Sequence, residues 1–429
     1  MVPLALAILL ALLILSVPVA AVLVLLGLAL DRLFSPLPLS LAMGEIAWST
    51  STDFLLVAIP LYVLLGEILL HSGIAERTYR ALNLWLSWLP GGLMHANIVT
   101  SALFAATSGS SVATAATVGT VALPQARKYG YNEKLFAGTI AAGGALGILI
   151  PPSINMIIYG FLTDTSIPKL YLAGFIPGAV LTLLFMLTVV VLTLLQPRWG
   201  GIRQVDSFDW NARIQSLKDL LPPILLFVVV IGSIYAGIAT PTESAALGVL
   251  AALALALVNR RLSLKMLATA IEGTMRTTAM IMLIIVAAYF LNFVLSSIGL
   301  THRLTAFIQG LGWTPFQTLL AVIVLYIVLG LFMETLSIMI TTIPIIAPVM
   351  FSLGFDPIWF GVLLMILIEM ALITPPIGLN LYVVQGIRQQ GTLQDVILGA
   401  LPFVVAMLLM IGLLIAFPQI ALFLPHLLS

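Results

Sequence analysis

Long apolar segments alternate with short polar ones along almost the whole chain. Charged residues are absent from the segments Val2–Leu30, Leu135–Leu162, Leu170–Gln196, Leu221–Thr242, Ser244–Asn259 and Thr277–Thr301. A helix that crosses a bilayer needs about 20 apolar residues, and each segment supplies most or all of that number. Strand-type alternation is absent, and a chain in lipid must pair its backbone groups internally. The pattern therefore predicts an all-α polytopic membrane protein in the lipid bilayer.

Composition points the same way. Hydrophobic residues make up 62% of the 429 positions and charged residues only 8%, whereas a soluble domain carries about 25% charged residues. The N-terminal segment has no basic leading region and is too long for a signal peptide, so we expect a first span that is bent at Pro18. A net charge of +1 argues against nucleic-acid binding, and the absence of cysteine excludes disulfides and thiolate metal sites.

The chain repeats itself with an offset of about 224 residues. The ordered matches include Pro18 with Pro241, Pro124 with Pro348, Pro151-Pro152 with Pro375-Pro376, Asn155 with Asn380, and Gly174 with Gly399. A series with a nearly constant offset predicts two structural repeats, residues 1–195 and 221–429, joined by a cytoplasmic linker at 196–220.

Each repeat contains a predicted apolar hairpin. The first, at about 94–126, is too long for one span and too short for two, and its polar middle, Thr107–Ser111, would lie at bilayer depth. We therefore expect a re-entrant hairpin, with a surface loop between two short spans as the alternative. The second hairpin, at about 316–355, is long enough for two spans, so its re-entrancy rests on the repeat.

A helix interrupted by two prolines follows each hairpin, at about 135–160 and 357–387. Proline removes a backbone donor and frees a carbonyl group. Ser153 and Asn155 lie beside the first break, and Thr374 and Asn380 lie beside the second. Carbonyls, hydroxyls and amides are uncharged hard oxygen ligands, which favour Na⁺ over a divalent metal. A kink that only serves packing is the alternative.

Counting spans predicts the orientation of the repeats. Five spans separate the hairpins, and an odd number places them on opposite faces, so the repeats are predicted to be inverted. One face receives fourteen basic residues, and the other receives only Arg32, Lys169 and Arg303. Because the face rich in Lys and Arg is cytoplasmic, we expect a cytoplasmic N-terminus and a periplasmic C-terminus. Inverted repeats around a midplane site are typical of secondary transporters.

Few acids lie within the apolar segments. Glu334 lies at the second hairpin tip, where a functional role is favoured because a charge at this depth is costly. Glu369 precedes Thr374 by five residues and either supports that break or is simply buried. Thr240 and Glu243 have the spacing of a capping box, which indicates a structural role for Glu243.

Interfacial positions are predicted for two kinds of residue. The amphipathic segments 73–88 and 299–311 have the spacing of helices that lie at the membrane surface. The four histidines lack metal-ligand spacing and are expected at the interface, namely His71, His95, His302 and His426.

Enzyme motifs are missing from the sequence. The serine cluster lacks a GxSxG elbow, and no HExxH, Walker A or GxGxxG motif occurs. We therefore predict a secondary transporter rather than an enzyme. Two alternatives stay open: a stand-alone divalent-anion symporter, and an intramembrane serine hydrolase that uses Ser110 or Ser111.

Five segments together resemble a known family. They are SGSSVATAATVG at 108–119, GILIPPSINMIIYG at 147–160, AGFIPG at 173–178, TPTESA at 240–245 and ITPPIGLNLYV at 373–383. In this order, over nearly the whole chain, they are similar to the large membrane subunit of tripartite ATP-independent periplasmic (TRAP) transporters. The resemblance implies an elevator-type, sodium-coupled importer of small organic acids or related solutes in a bacterial or archaeal inner membrane.

The resemblance also implies partners and site residues. The partners are a small four-helix membrane subunit, expected as a separate chain because nothing precedes Met1, and a periplasmic substrate-binding protein. Two or more sodium ions are expected between the hairpin tips and the breaks. The first site is Ser108, Ser110, Ser111, Gly147, Pro151 and Asn155, and the second is Gly330, Glu334, Thr335, Thr374, Pro376 and Gly378. The substrate is expected at Thr107, Asn155, Glu334 and Ser337. Many family members have Asp where this chain has Glu334.

The predicted orientation can be tested with single cysteines, because the native chain has none. We expect Lys128→Cys to be protected from a membrane-impermeant thiol reagent in intact cells, and Lys169→Cys to react. Permeabilised cells, in which both positions should react, provide the control. Labelling of Lys128→Cys but not of Lys169→Cys in intact cells would overturn the assignment.

Overall fold

The computed structural model describes residues 2–15, 17–201, 210–300, 303, 306, 310, 312–376, 378–388 and 390–428. All regular structure in these residues is helical. Within them, eight helical segments are long and apolar enough to cross a bilayer: Phe54–His71, Glu133–Thr163, Ile167–Leu195, Trp210–Tyr235, Pro241–Val258, Leu264–Ser297, Thr335–Ser352 and Leu393–Ala416. The predicted all-α, multi-pass membrane protein is thus confirmed.

Ten α-helices lie in the described residues of the first half of the chain. They are α1 (Val2–Ile14), α2 (Val19–Phe34), α3 (Met43–Ser51), α4 (Ala58–His71), α5 (Ile74–Leu86), α6 (Leu93–Ser108), α7 (Ser111–Lys128), α8 (Glu133–Leu149), α9 (Ile154–Thr163) and α10 (Ile167–Leu195).

Nine helices follow in the described residues of the second half. They are α11 (Trp210–Tyr235), α12 (Pro241–Val258), α13 (Leu264–Ser297), α14 (Pro315–Gly330), α15 (Thr335–Ser352), α16 (Pro357–Ile373), α17 (Leu379–Arg388), α18 (Leu393–Ala416) and α19 (Gln419–Leu427). The predicted capping box at the start of α12 is confirmed, since the Thr240 and Glu243 side chains each bond the other's backbone N–H.

Short turns join the helices of each hairpin. Gly109 ends α6 at φ +61°, a left-handed conformation that glycine adopts without steric cost. Ser110 then caps α7, because its side chain accepts a hydrogen bond from the Ala113 backbone N–H at 3.4 Å. In the second hairpin α14 ends at Gly330, and the Glu334 side chain caps α15.

Both Pro-Pro sequences interrupt their helices. The first helix stops at Leu149 and restarts at Ile154, with the Ser153 hydroxyl accepting from the Met156 backbone N–H at 3.4 Å. The second stops at Ile373 and restarts at Leu379. The Pro151-Pro152 and Pro375-Pro376 peptide bonds are both cis. Because proline cannot continue the helical hydrogen bonding, the backbone between the half-helices is irregular.

The hairpins and interrupted helices pack together across the two halves of the chain. α7 contacts α17, and α9 contacts α15. α8 contacts α16, and each also packs on the first arm of the preceding hairpin, α6 and α14 respectively. We call α6–α9 and α14–α17 the hairpin core. The flanking helices are α2, α4, α5, α11, α12 and α13, among which α4 packs on α12 and α13, and α5 packs on α11.

The structure adds detail near both ends of the chain and at the linker. The first span is interrupted rather than bent, since α1 ends at Ile14 and α2 begins at Val19, directly after Pro18. The last part of the linker predicted at 196–220 is helical, because α11 begins at Trp210. After α18, a further short helix, α19, packs on α10.

The structure describes only one of the two predicted surface helices in full. The first, predicted at 73–88, is α5, whose start follows Gly73 at φ +73°. The second, predicted at 299–311, lies mostly outside the described residues, as do positions 202–209 of the linker.

α8 and α18 approach each other closely at two glycines. A Cβ added to Gly399 would overlap the carbonyl oxygen of Lys134, and one added to Gly138 would overlap that of Gly399. At the same end of these helices, Lys134 pairs with Asp395 at 3.0 Å and Arg388 pairs with Glu133 at 2.8 Å. Small residues that let helix backbones meet are a common means of packing in membranes.

This contact predicts a position-specific loss of stability. We expect Gly399→Ala to lower the apparent melting temperature in detergent, because overpacking costs about 1–3 kcal/mol. Gly412→Ala on the same helix is the matched control, since an added Cβ there would meet nothing within 4 Å. Equal melting temperatures for the two variants would show that α8 and α18 do not approach as described.

Candidate functional site

The first hairpin tip lies directly against the first helix break. A Cβ on Gly109 would come within 2.9 Å of the Pro152 carbonyl oxygen. On the other side of the tip, a Cβ on Gly147 would come within 2.8 Å of the Ser110 carbonyl carbon and the Ser111 nitrogen. Of the residues predicted for the first ion site, the structure thus brings Gly147 of α8 against Ser110 and Ser111 of the hairpin tip.

The polar atoms at this tip are mostly hydroxyl and carbonyl oxygens, and hydrogen bonds fix their positions. The Ser108 and Thr114 hydroxyls lie 3.0 Å apart, and the Ser111 hydroxyl donates to the Ala145 carbonyl at 3.4 Å. Ser108 and Ser111 are buried, while Ser110 is partly exposed. Hydroxyl and carbonyl oxygens without a carboxylate are suited to a hard monovalent cation. Among the described residues, no group of three His, Cys, Asp or Glu side chains could hold a metal ion.

The second tip is organised around Glu334. Its carboxylate accepts hydrogen bonds from the backbone N–H groups of Leu336 and Ser337 and from the hydroxyls of Thr335 and Ser337, all at 3.1 Å. Glu334 itself is only partly buried. The carboxylate therefore orders its own hairpin, and these four donors use all four of its lone-pair positions.

The second tip meets the second break through a small residue. A Cβ on Gly330 would lie 2.7 Å from the Ala371 Cβ, three residues before Thr374. The Thr374 hydroxyl donates to the Met370 carbonyl at 2.6 Å, and Pro376 is exposed. Gly378 has φ +33° and would place a Cβ 3.1 Å from the Thr374 carbonyl oxygen. Of the hairpin residues predicted for the second ion site, Gly330 is thus the one that packs directly on the second broken helix.

The four residues predicted to contact substrate differ in their free capacity for hydrogen bonds. The Thr107 hydroxyl donates to the Phe104 carbonyl at 2.9 Å, and the Ser337 hydroxyl donates to Glu334. Asn155 is 6% exposed, and its amide nitrogen has no partner among the described residues. A buried amide donor without a partner is costly, so Asn155 is the residue best prepared for a ligand.

Sequence reasoning missed several buried polar contacts in the hairpin core. The Asn380 amide donates to the Ala141 carbonyl at 3.1 Å, which ties the second broken helix to the first. The Tyr79 hydroxyl donates to Asn97 at 3.0 Å, and the Asn97 amide donates to Thr139 at 2.8 Å. These contacts join α5, α6 and α8, and the residue types alone do not reveal the partners.

Of the histidines predicted at the interface, His95 faces the interior of the protein. This side chain is fully buried, and its Nε2 lies 2.7 Å from the Pro90 carbonyl oxygen. The ring is buried because α6 runs inside the hairpin core, where the backbone turn at Pro90 supplies the polar partner. His71 and His426 are exposed, and His302 lies outside the described residues.

Comparison with known proteins assigns the family. The family model for the DctM component of the tripartite ATP-independent periplasmic transporters matches residues 6–420. The chain belongs to this family. Because these proteins are transport permeases, the predicted absence of enzymatic function is confirmed, and the serine hydrolase alternative is wrong.

Relatives in the TRAP family are similar along most of their length. The C4-dicarboxylate TRAP transporter large permease protein DctM of Pseudomonas aeruginosa is 35% identical over 380 residues, which cover 88% of each chain. The sialic acid TRAP transporter large permease protein SiaM of Vibrio cholerae is 32% identical over 376 residues, which cover 87% of each chain. This chain is therefore similar to large permeases with different substrates.

A solved structure shows the same fold at lower sequence similarity. The YdaH transporter of Alcanivorax borkumensis superposes with a TM-score of 0.64 at 18% identity, covering 95% of this chain and 99% of that one. The TRAP permease thus shares an overall fold with a transporter to which its sequence similarity is low.

Glu334 provides a test of the second tip. Glu334→Gln keeps the size of the side chain and one acceptor oxygen but removes the negative charge. The sodium ion that the family resemblance implies at this tip predicts that the Na⁺ concentration for half-maximal uptake will rise about tenfold in this variant, equivalent to about 1.4 kcal/mol, because the ion would lose its anionic neighbour.

The matched control for this test is Glu272→Gln, which removes an exposed carboxylate on α13. Uptake should then be normal at every Na⁺ concentration. If Glu334→Gln behaves like this control, the Glu334 side chain only caps α15.

Proposed function

We propose that this TRAP permease imports a small organic acid or a related solute by sodium-coupled, elevator-type transport. The observation that carries the proposal is the reciprocal packing of the hairpin core. Each half contributes a hairpin whose second arm contacts the second half-helix of the other half, α7 with α17 and α15 with α9. Two matching sets of tips and breaks in one compact body fit the architecture of inverted-repeat transporters with a midplane site.

Sodium as the coupling ion is supported by the chemistry of the tips. Buried hydroxyls and freed carbonyls surround Gly147 and Gly109 at the first break. Such neutral oxygens provide little charge compensation for a divalent cation but suit Na⁺ as a co-transported substrate. At the second tip, Glu334 supplies one carboxylate near Gly330 and Thr335.

The proposal that the solute is acidic is supported by a hydrogen-bond donor near the first break. Neither hairpin tip contains an arginine, since Arg127 of the first hairpin lies in the last turn of α7, so no guanidinium clamp is available at the tips. Asn155 instead offers a buried amide nitrogen in the first turn of α9, without a partner among the described residues. The N-terminal end of a half-helix attracts negative charge, and the two features together fit a carboxylate group.

The elevator motion requires a body that moves and a body that stays. We assign the hairpin core to the first role and the flanking helices to the second. One of their contacts lies where α4 passes the first tip, since a Cβ on Gly66 would lie 3.1 Å from the Ser108 carbonyl oxygen. At this point no side chain interlocks, which suits two surfaces that slide, whereas the Tyr79 hydroxyl of α5 donates to Asn97 of α6 and links the two sets of helices elsewhere.

The proposed assembly contains two further proteins. A small four-helix membrane subunit would cover part of the flanking helices, which expose apolar residues such as Leu221, Leu225 and Leu283. A periplasmic binding protein would deliver the solute. We place the complex in an inner membrane, with the N-terminus of this chain in the cytoplasm and its C-terminus in the periplasm.

The proposal is tested by reconstituting this chain with the small subunit and the binding protein. We expect uptake to follow an imposed Na⁺ gradient with a Hill coefficient above one, and to require the binding protein. The double variant Ser110→Ala with Ser111→Ala should raise the Na⁺ concentration for half-maximal uptake about tenfold, since losing a ligand costs about 1.4 kcal/mol or more.

Thr120→Ala removes a hydroxyl from the same hairpin arm and is the control, because that hydroxyl is exposed and bonds only the Ala116 carbonyl at 2.8 Å. Full uptake with K⁺ in place of Na⁺ would overturn sodium coupling. Uptake without the binding protein would favour a stand-alone symporter.

A further inference from the structure

Glu369 is a fully buried acid that joins the two broken helices. It lies on α16, yet its Oε1 accepts hydrogen bonds from the backbone N–H groups of Leu149 at 2.8 Å and Ile148 at 3.2 Å on α8. Sequence reasoning linked Glu369 to the break that follows it on its own helix. The structure instead connects its carboxyl group to the break in the other half of the chain.

Packing stability alone does not account for an acid at this position. The second oxygen, Oε2, is buried and has no hydrogen-bond partner among the described residues. The ion pairs found in the described part of the chain all involve other carboxylates. Burying a polar atom without a partner is unfavourable, and an apolar side chain of similar volume would avoid that cost.

The contacts of Glu369 lie beside both predicted ion sites. Leu149 and Ile148 fall between Gly147, which touches the first tip, and Pro151. Glu369 itself is two residues before Ala371, against which Gly330 of the second tip packs. A shift of either half-helix end therefore moves the carboxyl group or the two N–H groups that it binds.

We infer that Glu369 is a positioning residue that couples ion binding at the first break to ion binding at the second. The inference rests on the proposed sodium coupling. When an ion at the first site orders the end of α8, the Ile148 and Leu149 N–H groups hold the Glu369 carboxyl group in one position. The end of α16, beside the second site, is then held in place as well. Binding at one site then favours binding at the other, and this energetic coupling is reciprocal.

The experiment places one reporter cysteine beside each tip of the cysteine-free chain. Val112 is 39% exposed beside the first tip and Phe332 is 66% exposed beside the second. The rate of maleimide labelling of Val112→Cys or Phe332→Cys is measured against Na⁺ concentration in the purified complex of this chain with its small subunit. With Glu369 intact, we expect both curves to have Hill coefficients above one and similar midpoints.

Three variants of Glu369 separate coupling from packing. Glu369→Leu removes the acceptor, and Glu369→Asp withdraws it by one methylene group. In both we expect Hill coefficients near one and midpoints that separate by about fivefold or more, the lower end of typical coupling. Glu369→Gln keeps the acceptor oxygen and should retain the coupled curves. Glu369→Asp and Glu369→Gln decide the question if Glu369→Leu does not fold.

Met365→Leu is the matched control, because Met365 is fully buried one turn earlier on the same helix. It should leave both curves unchanged. Coupled curves in Glu369→Leu or Glu369→Asp would overturn the inference while leaving sodium binding intact. If the labelling rate at both reporters does not change with Na⁺ concentration while Glu369 is present, the proposed sodium coupling is refuted, and the inference with it.

Discussion

A helix that is broken inside a membrane exposes backbone groups that must find partners within the protein. The hairpin core meets this requirement at the first Pro-Pro sequence with groups from elsewhere in the chain. The Leu149 and Ile148 N–H groups donate to Glu369, while the Ala145 carbonyl accepts from Ser111. The first broken helix is thus completed by its hairpin tip and by the opposite broken helix, so that these elements depend on one another for their conformation.

Close approach of these elements depends on small residues at the contacts. Gly147 admits the first tip, Gly330 admits Ala371, and Gly138 with Gly399 brings α8 against α18. In lipid, where burial of apolar surface gives no advantage over contact with acyl chains, such backbone proximity is a main source of helix association. At Gly66 of the flanking helix α4, the core likewise approaches a glycine, so no side chain interlocks at that contact.

Several charged groups stabilise the structure. Asp31 accepts from the Leu39 and Ser40 N–H groups, Glu243 caps α12, and Arg388 pairs with Glu133. The first tip, by contrast, presents neutral hydroxyl and carbonyl oxygens, and the second presents one carboxylate that already accepts four hydrogen bonds. This distribution leaves little fixed charge in the core, which lowers the energetic cost of holding it in a membrane.

The sequence alone determined the helical class, both hairpins as helix pairs, the two interruptions and the Glu243 capping box. These features depend on apolar length and on residues that act within a few positions, such as proline, glycine and N-caps. Only the tertiary structure decided that Glu369 bonds a break 220 residues away, that Asn380 bonds Ala141, and that His95 is buried. A side chain of given type can satisfy its polar atoms in many ways, and which partner it meets depends on how distant helices pack.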